Sequence, residues 1–445
     1  MSKIWKRLIL NIDSLDNYKN LSKFYSRIFI TRIFIIGLNF LTVALLVNEL
    51  GDTNYGIYIT LYSVINWVFL LDLGFSKGMR NKLTELIEIK DNTNARKLIS
   101  TTILISISLS ILFILIFLLL NSFVDLSNFL MDSNSSIFSS TLNIFFGVII
   151  LKLIFGNLDQ ILFSFQYSFI SVYITFSIAL IFYLSLYTTS LIGVNLNYFQ
   201  ISILYFLAVL VSYISFSFWF FLKNNKFVPS IKLVDFSLLR PLISSGLKIF
   251  VIQLLFFSLL ALDKFIILKY FDGKSVTSYD ITYRIMTLLL FPFSIIAQPL
   301  WSSYAAAKVN NDFKWINKII KRLYLFSIII LFGVIFLSFS FDFITQIWLG
   351  KIYDVSFLLK LLVGILLFNV MWTTMHSDIL YGFNSYKFMA KTVFIGLLLK
   401  LLILLIIINT NYLSISNIVV SSIIGYSFFS LMAPFYVKRK IKIFK

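Results

Sequence analysis

Charged residues inside long apolar runs are the feature of this sequence that points most directly to chemistry. Among the basic residues in such runs we single out Arg32, Lys264, Arg284 and Lys400. A charge within an apolar membrane helix costs about 2.5–3.5 kcal/mol on insertion scales, so it is a functional candidate by default. Ammonium and guanidinium groups in such a setting bind anions, phosphates above all. We therefore expect these four residues to line a water-filled cavity that takes an anionic substrate.

Two carboxylates accompany these cations. Asp280 precedes Arg284 by four residues, which is the favoured order for an ion pair along a helix. Asp263 directly precedes Lys264, and neighbours on a helix point about 100° apart, so each of these two needs a partner elsewhere. Asp263 and Asp280 are therefore candidates for coupling transport to H⁺ or Na⁺, and the sequence leaves the ion open.

Uncharged polar residues follow the same helical faces. Their amide and phenol groups can hydrogen-bond the hydroxyls of a sugar. Asn39, for example, lies seven residues after Arg32, which places both on one face of a helix. We expect a polar cavity lining formed by Asn39, Tyr62, Asn66, Gln253 and Gln298.

Each of these residues also has a purely structural interpretation. Arg32 lies near the start of its run and can extend its charge to lipid headgroups. Tyr62 belongs to a tyrosine-rich chain in which phenols often only pack. Lys400 can form a structural ion pair with a carboxylate such as Asp263. The residues alone leave both readings open.

Composition excludes several other kinds of chemistry. The chain has no Cys, which excludes disulfides and thiolate metal sites, and its one His, His376, excludes a multi-His metal site. Charged residues make up 13% of the 445 residues, about half the share of a soluble domain. We therefore expect no soluble enzyme, no metal and no cofactor. The net charge of +19 is explained by membrane topology rather than by binding to nucleic acid.

The elements that must position these residues are membrane helices. Twelve apolar runs are each long enough to cross a bilayer core of roughly 30 Å. Because backbone groups in lipid must bond internally and no period-two alternation is present, helices are expected throughout. The runs are 28–48, 55–74, 98–120, 137–156, 161–185, 198–222, 247–270, 276–300, 323–341, 355–377, 388–409 and 416–436. The boundary between the fourth and fifth runs is the weakest, because Gly156, Asn157, Asp159 and Gln160 break an almost continuous apolar stretch.

The basic residues predict the topology. With the N-terminus in the cytoplasm, thirty-one of the 38 Lys and Arg residues fall on the cytoplasmic side. Among them is Lys152, near the end of the fourth run. Six fall on the outward side and Lys400 lies within a span. This asymmetry predicts that both termini are cytoplasmic.

The twelve runs divide into two sets of six, which predicts two lobes related by a pseudo-two-fold axis along the membrane normal. Gly51 and Gly273 each lie a few residues before a Tyr that opens the next helix, at matching places in the halves. A cleft lined chiefly by spans one, two, seven and eight is expected. The predicted segments are 1–25 (cytoplasmic), 26–222 (N-lobe), 223–246 (cytoplasmic linker), 247–437 (C-lobe) and 438–445 (basic tail).

Three stretches of the chain resemble one family. Residues 50–56 (LGDTNYG) are similar to the turn between the first two helices of polysaccharide transporters, and 72–85 (DLGFSKGMRNKLTE) are similar to the loop that follows. Asp263-Lys264, Tyr279, Arg284 and Pro299-Leu300-Trp301 look like their helices seven and eight. The chain thus resembles the Wzx-type lipid-linked oligosaccharide flippases (O-antigen and capsular polysaccharide), whose superfamily also contains the multidrug and toxic compound extruders.

The resemblance implies a bilobal, alternating-access transporter and not an enzyme. Its cargo would be a polyprenyl-diphosphate-linked oligosaccharide, carried from the cytoplasmic to the outer leaflet of a bacterial cytoplasmic (inner) membrane. The implied partners are the lipid bilayer and polysaccharide polymerase machinery, and a monomer is expected.

Two alternatives stay open. An ion-coupled exporter of drugs or small molecules with the same fold would favour acidic residues in its cavity, whereas in-span cations outnumber acids here. A polytopic polysaccharide polymerase usually needs a large outward loop with catalytic residues. The longest outward loop, 121–136, offers only Asp125 and Asp132.

The topology can be checked by cysteine labelling, because the chain has no Cys of its own. A Ser127→Cys variant should react with a membrane-impermeant maleimide on intact cells. An Asn94→Cys variant should react only after permeabilisation. The reverse pattern would contradict the predicted orientation.

Overall fold

The computed structural model describes residues 18–63, 65, 75–123, 136–165, 167–293, 300, 304, 307–308, 311–410 and 412–443. All regular elements within these ranges are helices. Mean hydropathy of the candidate spans lies between 1.7 and 2.9. The expected all-α membrane architecture is therefore confirmed.

Within the described residues, the first half contains six α-helices. The longest of them, α1, changes direction at Gly51, where φ is 69° and the backbone is not helical. Only a residue without a Cβ adopts this left-handed conformation at little cost. The elements are α1 (Tyr18–Ser63), α2 (Phe75–Glu88), α3 (Asn92–Phe123), α4 (Ser136–Ser164), α5 (Ser168–Leu191) and α6 (Tyr198–Lys223).

The second half contains six more. Side-chain caps start several of them: Asp272 accepts a hydrogen bond from the backbone of Ser275, and Asp312 accepts one from Trp315. The elements are α7 (Leu239–Tyr270), α8 (Gly273–Thr287), α9 (Phe313–Leu349), α10 (Phe357–Gly382), α11 (Tyr386–Ile408) and α12 (Ile415–Ile443).

Ten helices of the described residues are long and apolar enough to cross a membrane, compared with twelve predicted runs. The difference has two causes. The first span and the start of the second are joined in α1, with Gly51 as the only break in helical geometry. The eighth run is represented by α8, which has 15 residues and is too short to count by itself. Its predicted remainder includes 294–299, which lie outside the described residues.

The fourth span does not end where the sequence indicated. The polar residues 156–160 were predicted to separate spans four and five, but α4 continues without interruption to Ser164. The next helix, α5, begins at Ser168. Lys152 therefore lies well inside α4 and not in a cytoplasmic loop. The sequence-based count had placed it with the cytoplasmic cations.

The segment between the halves is attached to α3. Arg96 donates from Nε to the carbonyl of Val228 at 2.7 Å. The hydroxyl of Ser100 accepts from the backbone N–H of Ser230 at 3.0 Å. The hydroxyl of Thr101 accepts from the backbone N–H of Asp235 at 2.9 Å. These bonds hold the linker against the first half, and α7 begins soon after it, at Leu239.

Most helix packing occurs within each half. In the first, α1 packs on α5 and α4 on α6; in the second, α12 packs on both α10 and α11. The main contact between the halves is made by α1 and α8. The halves therefore form an N-lobe (α1–α6) and a C-lobe (α7–α12) that meet mainly along these two helices.

The lobes are joined on the side where Gly51 lies, which is the outward side in the predicted topology. Asp52 accepts from Lys351 Nζ and from Tyr353 OH, each at 2.7 Å, through the same carboxylate oxygen. Its backbone carbonyl accepts from the Thr277 hydroxyl. Gly56 of α1 and Gly273 of α8 lie backbone against backbone. We call these contacts of Asp52, Gly56, Gly273, Thr277, Lys351 and Tyr353 the outward seal.

The glycine contact in the outward seal can be tested by adding one methyl group. A Cβ on Gly56 would overlap the carbonyl of Gly273, whereas a Cβ on Gly37 of the same helix meets nothing within 4 Å. We expect Gly56→Ala to lower the free energy of unfolding by about 1–3 kcal/mol, the usual cost of overpacking.

The matched control is Gly37→Ala, which should be as stable as the parent or slightly more so, because Ala favours helix. Thermal unfolding of the two purified variants in detergent measures the difference. Equal melting temperatures would contradict a close backbone contact at Gly56.

Candidate functional site

A cavity of about 460 Å³ lies beside the lobe contact. Four of the residues predicted to line a substrate cavity do line it: Asn39, Tyr62, Gln253 and Arg284. The surrounding helices differ from the expectation of spans one, two, seven and eight. Most of the wall comes from α1, α4, α5 and α6, and the C-lobe contributes Gln253 of α7 and Arg284 of α8. The cavity is therefore mainly an N-lobe feature, with one cationic side chain from the C-lobe.

The sequence analysis missed the polar wall that α4 provides. Lys152, Gly156, Asp159 and Gln160 all line the cavity. Their spacing of four, seven and eight residues places them on one face of a helix. Residues 156–160 were interpreted as a break between spans. Their helical spacing from Lys152 was the signal that could have identified a polar face.

Phenol groups form another part of the N-lobe wall. Tyr62 and Tyr205 share a hydrogen bond of 3.3 Å between their hydroxyls, and Tyr58 stacks on Tyr62 with ring centroids 6.0 Å apart. The hydroxyl of Tyr58 has no hydrogen-bond partner among the described residues, although it is buried. Buried polar atoms are normally paired, so this hydroxyl beside the cavity is an exception.

Lys152 places an ammonium group against this wall. Its Nζ lies 3.3 Å from the hydroxyl of Tyr205 and 5.7 Å from the centroid of the same ring. Among the described residues it forms no ion pair. Asp159, the other charged residue of this stripe, accepts from Ser171 at 2.6 Å and from Tyr213 at 3.1 Å. The carboxylate is thus supplied with hydrogen bonds while the ammonium has only a phenol.

Asp280 joins both lobes at the edge of the cavity. Its side chain is 2% exposed. One oxygen, Oδ1, accepts from Lys264 Nζ at 2.5 Å. The other, Oδ2, accepts from Arg284 Nε at 2.6 Å and from the hydroxyl of Tyr55 in α1 at 2.7 Å. The helical i,i+4 pair expected from the sequence is present, and Lys264 takes its partner from α8.

Lys400 lies away from the cavity, in the interior of the C-lobe. Its Nζ is 2.6 Å from Asp263 Oδ1 and 2.6 Å from the carbonyl of Leu259, and both charged side chains have 0% exposure. The hydroxyl of Ser422 in α12 donates to both oxygens of Asp263, at 2.8 and 2.9 Å. Of the two alternatives that the sequence left open for Lys400, this geometry corresponds to the ion pair with Asp263.

The remaining predicted site residues are more dispersed. Arg32 is half-buried on α1, one turn from the part of that helix that lines the cavity, and is not among the lining residues. The side chains of Asn66 and Gln298 lie outside the described residues. Both carboxylates considered for ion coupling, Asp263 and Asp280, are ion-paired. Among the described residues no cluster of acidic, His or Cys side chains could hold a metal ion.

The Lys400–Asp263 pair predicts a specific stability effect. Lys400→Met would leave a buried carboxylate without its countercharge, which typically destabilises by about 3–5 kcal/mol. We expect this variant to lose protein level and thermal stability, and the double variant Lys400→Met, Asp263→Asn to recover most of both. A stable Lys400→Met protein that has lost transport would instead show that the ammonium acts on cargo.

Comparison with known proteins gives relatives at low identity. No family profile matches the chain. A "Putative O-antigen transporter" of Salmonella typhi is 23% identical over 377 residues, which cover 81% of this chain and 83% of the relative. A "Putative O-antigen export protein" of Yersinia pseudotuberculosis is 24% identical over 370 residues, 80% of this chain and 82% of the relative. The resemblance stated from the sequence is confirmed by these names.

Solved structures give the fold. An inward-facing multidrug-resistance MATE-family transporter of the MOP superfamily superposes with a TM-score of 0.72, over 94% of this chain and 98% of that one, at 14% identity. Relatives and neighbours alike are named as transporters, in agreement with the expectation that the chain is not an enzyme. The protein therefore has the twelve-helix, two-lobe fold of the MOP-superfamily transporters and is similar over four fifths of its length to proteins named as O-antigen transporters.

Proposed function

We propose that this protein is a flippase for polyprenyl-diphosphate-linked oligosaccharides. It carries the repeat unit from the cytoplasmic to the outer leaflet of a bacterial cytoplasmic membrane, for surface polysaccharide assembly. Both termini lie in the cytoplasm. Such a cargo has an anionic diphosphate, sugars rich in hydroxyls and an apolar tail, and the cavity offers groups for the first two.

The observation that carries this proposal is a pair of cations from opposite lobes on one cavity. Lys152 comes from the N-lobe and Arg284 from the C-lobe. Moving a diphosphate unpaired through a low-dielectric path would cost many kcal/mol, so a carrier must supply positive charge along the way. Cations on both lobes can stay with the diphosphate as the lobes move relative to each other.

The phenol and amide groups of the wall suit the sugars. Tyr62 lines the cavity with a phenol, and Asn39 and Gln253 line it with amides. Aromatic rings add flat apolar faces for sugar rings. The prenyl tail needs no polar cavity, because it is apolar and can remain in the lipid beside the helices.

The acidic residues at the cavity support a drug or cation exporter less well than they support a carrier of anions. Asp159 already accepts from Ser171 and Tyr213, so much of its hydrogen-bonding capacity is used. Asp280 is shielded by Lys264, Arg284 and Tyr55. A cationic cargo would have to compete with these donors, whereas an anionic one meets the ammonium of Lys152 directly.

The outward seal supplies the alternating-access element. The bonds of Asp52 to Lys351 and Tyr353 hold the lobes together on the outward side of the cavity. Release there requires the lobes to part between α1 and α8. Parting would break these polar contacts together with the packing of α1 on α8. Polysaccharide polymerase machinery would receive the cargo after release.

The proposal predicts the effect of removing either cavity cation. In a strain that lacks its own flippase, Lys152→Gln and Arg284→Gln should each lower surface glycan at least about tenfold, because each removes a charge-assisted hydrogen bond of about 1.5–3 kcal/mol. The measurement is surface glycan at protein levels matched by immunoblot.

Two controls separate charge at the cavity from charge in general. Lys152→Arg should keep much of the activity, since it keeps the charge. Lys82→Gln removes a cation with 55% exposure that pairs only with Glu85, and should have no effect. Full surface glycan in both cavity neutralisations would contradict a cationic route through this cavity.

A further inference from the structure

The carboxylate of Asp280 is shared unequally by its donors. Lys264 has one oxygen to itself, whereas Arg284 and Tyr55 both donate to Oδ2, at 2.6 and 2.7 Å. Tyr55 is the donor that comes from the other lobe. The hydrogen bonding of Asp280 to Arg284 is therefore linked to the position of the N-lobe.

Arg284 is positioned to act on a ligand as well as on Asp280. It lines the cavity with 26% of its side chain exposed. The bond to Asp280 uses Nε, so the two Nη groups are not needed for that bond. An anion in the cavity can bind to them, because a guanidinium has five N–H donors in a planar fork.

Loss of Tyr55 would change how Asp280 holds Arg284. An oxygen that accepts two hydrogen bonds has less capacity left for either donor than an oxygen that accepts one. Without the phenol, Asp280 can draw the guanidinium into the two-bond pairing that Arg and carboxylates favour. The Nη groups would then be turned toward Asp280 and away from the cavity.

The hydrogen bond from Tyr55 to Asp280 depends on whether the lobes are closed on the outward side. Tyr55 is buried, with 0% exposure, and is followed by Gly56, whose backbone lies against Gly273 in the outward seal. If the lobes part on this side, Tyr55 must leave Asp280 at the same time. Opening of the seal and loss of this hydrogen bond are therefore one event.

We propose that Tyr55 and Asp280 are positioning residues that make the affinity of Arg284 for an anion depend on the outward seal. With the seal closed, Arg284 presents its Nη groups and holds the diphosphate of the cargo; with the seal open, Asp280 withdraws them and the cargo is released. This mechanism rests on the proposed function for the identity of the ligand. By reciprocity, a bound anion stabilises the closed seal by the same factor.

The test uses the full-length protein in lipid nanodiscs and farnesyl diphosphate, a short prenyl diphosphate, as the probe. Tyr55→Phe removes one hydroxyl and should weaken binding about three- to tenfold by calorimetry, the range expected for one hydrogen bond. The matched control is Tyr353→Phe. It removes the same kind of Tyr–Asp bond from the same seal, but its partner, Asp52, does not contact Arg284. Because Tyr353→Phe weakens the seal without changing the bonds of Asp280 and Arg284, its loss of affinity for the probe should be clearly smaller than that of Tyr55→Phe.

A second variant shows whether Asp280 transmits the effect. In an Asp280→Asn background the competing charge is gone, so the probe should bind at least as tightly as to the parent. Adding Tyr55→Phe should then change nothing further, which a double-mutant cycle measures directly. If Asp280→Asn does not fold, the comparison of Tyr55→Phe with Tyr353→Phe decides alone.

An independent readout follows the seal itself. A Leu46→Cys variant places a thiol in the cavity wall on the outward part of α1. Farnesyl diphosphate should slow its reaction with an impermeant maleimide added outside. Adding Tyr55→Phe should abolish this protection, whereas adding Tyr353→Phe should reduce it much less.

The outcomes separate this mechanism from the proposed function. Equal weakening by Tyr55→Phe and Tyr353→Phe, or no weakening by either, overturns the mechanism and leaves the flippase proposal standing. Tyr55-dependent probe binding in a protein that restores no surface glycan supports the mechanism and counts against the flippase. Absence of probe binding by the unmodified protein overturns both.

Discussion

A charge buried between membrane helices must be compensated by the protein, and three carboxylates show how this constraint organises the molecule. Asp159 of α4 accepts from Ser171 of α5 and Tyr213 of α6. Asp263 of α7 accepts from Lys400 of α11 and Ser422 of α12. Asp280 of α8 accepts from α7 and, across the lobe boundary, from α1. Each carboxylate links three helices. Asp159 does so within the N-lobe, Asp263 within the C-lobe and Asp280 across the lobe boundary.

The two lobes meet this constraint differently. In the C-lobe the Lys400–Asp263 pair is completely enclosed, and the glycines at 396 and 425 allow α11 and α12 to approach closely around it. In the N-lobe the charges border a cavity, and Lys152 has a phenol rather than a carboxylate as its nearest partner. The enclosed pair thus links helices inside the C-lobe, whereas the charges of the N-lobe face a cavity.

The sequence predicted the helical class and the two-lobe fold well, because hydropathy and the distribution of basic residues report directly on the membrane. It also indicated the pairing of Asp280 with Arg284, whose four-residue spacing is a local signal. It could not show that Lys264 pairs with Asp280, since that depends on how α7 and α8 pack.

The sequence-based prediction missed the role of Lys152 in the cavity wall because the polar residues at 156–160 were interpreted as the end of a helix. The same cluster is compatible with a continuous helix that has one polar face. Only the packing of the helices shows that this face borders a cavity. Lys400 illustrates the converse case. Its apolar flanks correctly indicated a buried charge, but whether it met a cavity or a carboxylate depended on the positions of α7 and α12.

The turn at Gly51 has a consequence for how the cavity tolerates insertions and deletions. The chain passes from the first span to the second with one non-helical residue, so no loop is available to absorb a change in length. One residue added between Gly51 and Tyr55 would rotate the following helix by about 100° relative to the first. Tyr55 would leave Asp280, and Tyr58 and Tyr62 would turn from the cavity together. The length of this segment is therefore as constrained as the identity of its residues, and the register of the tyrosines is set by a single glycine.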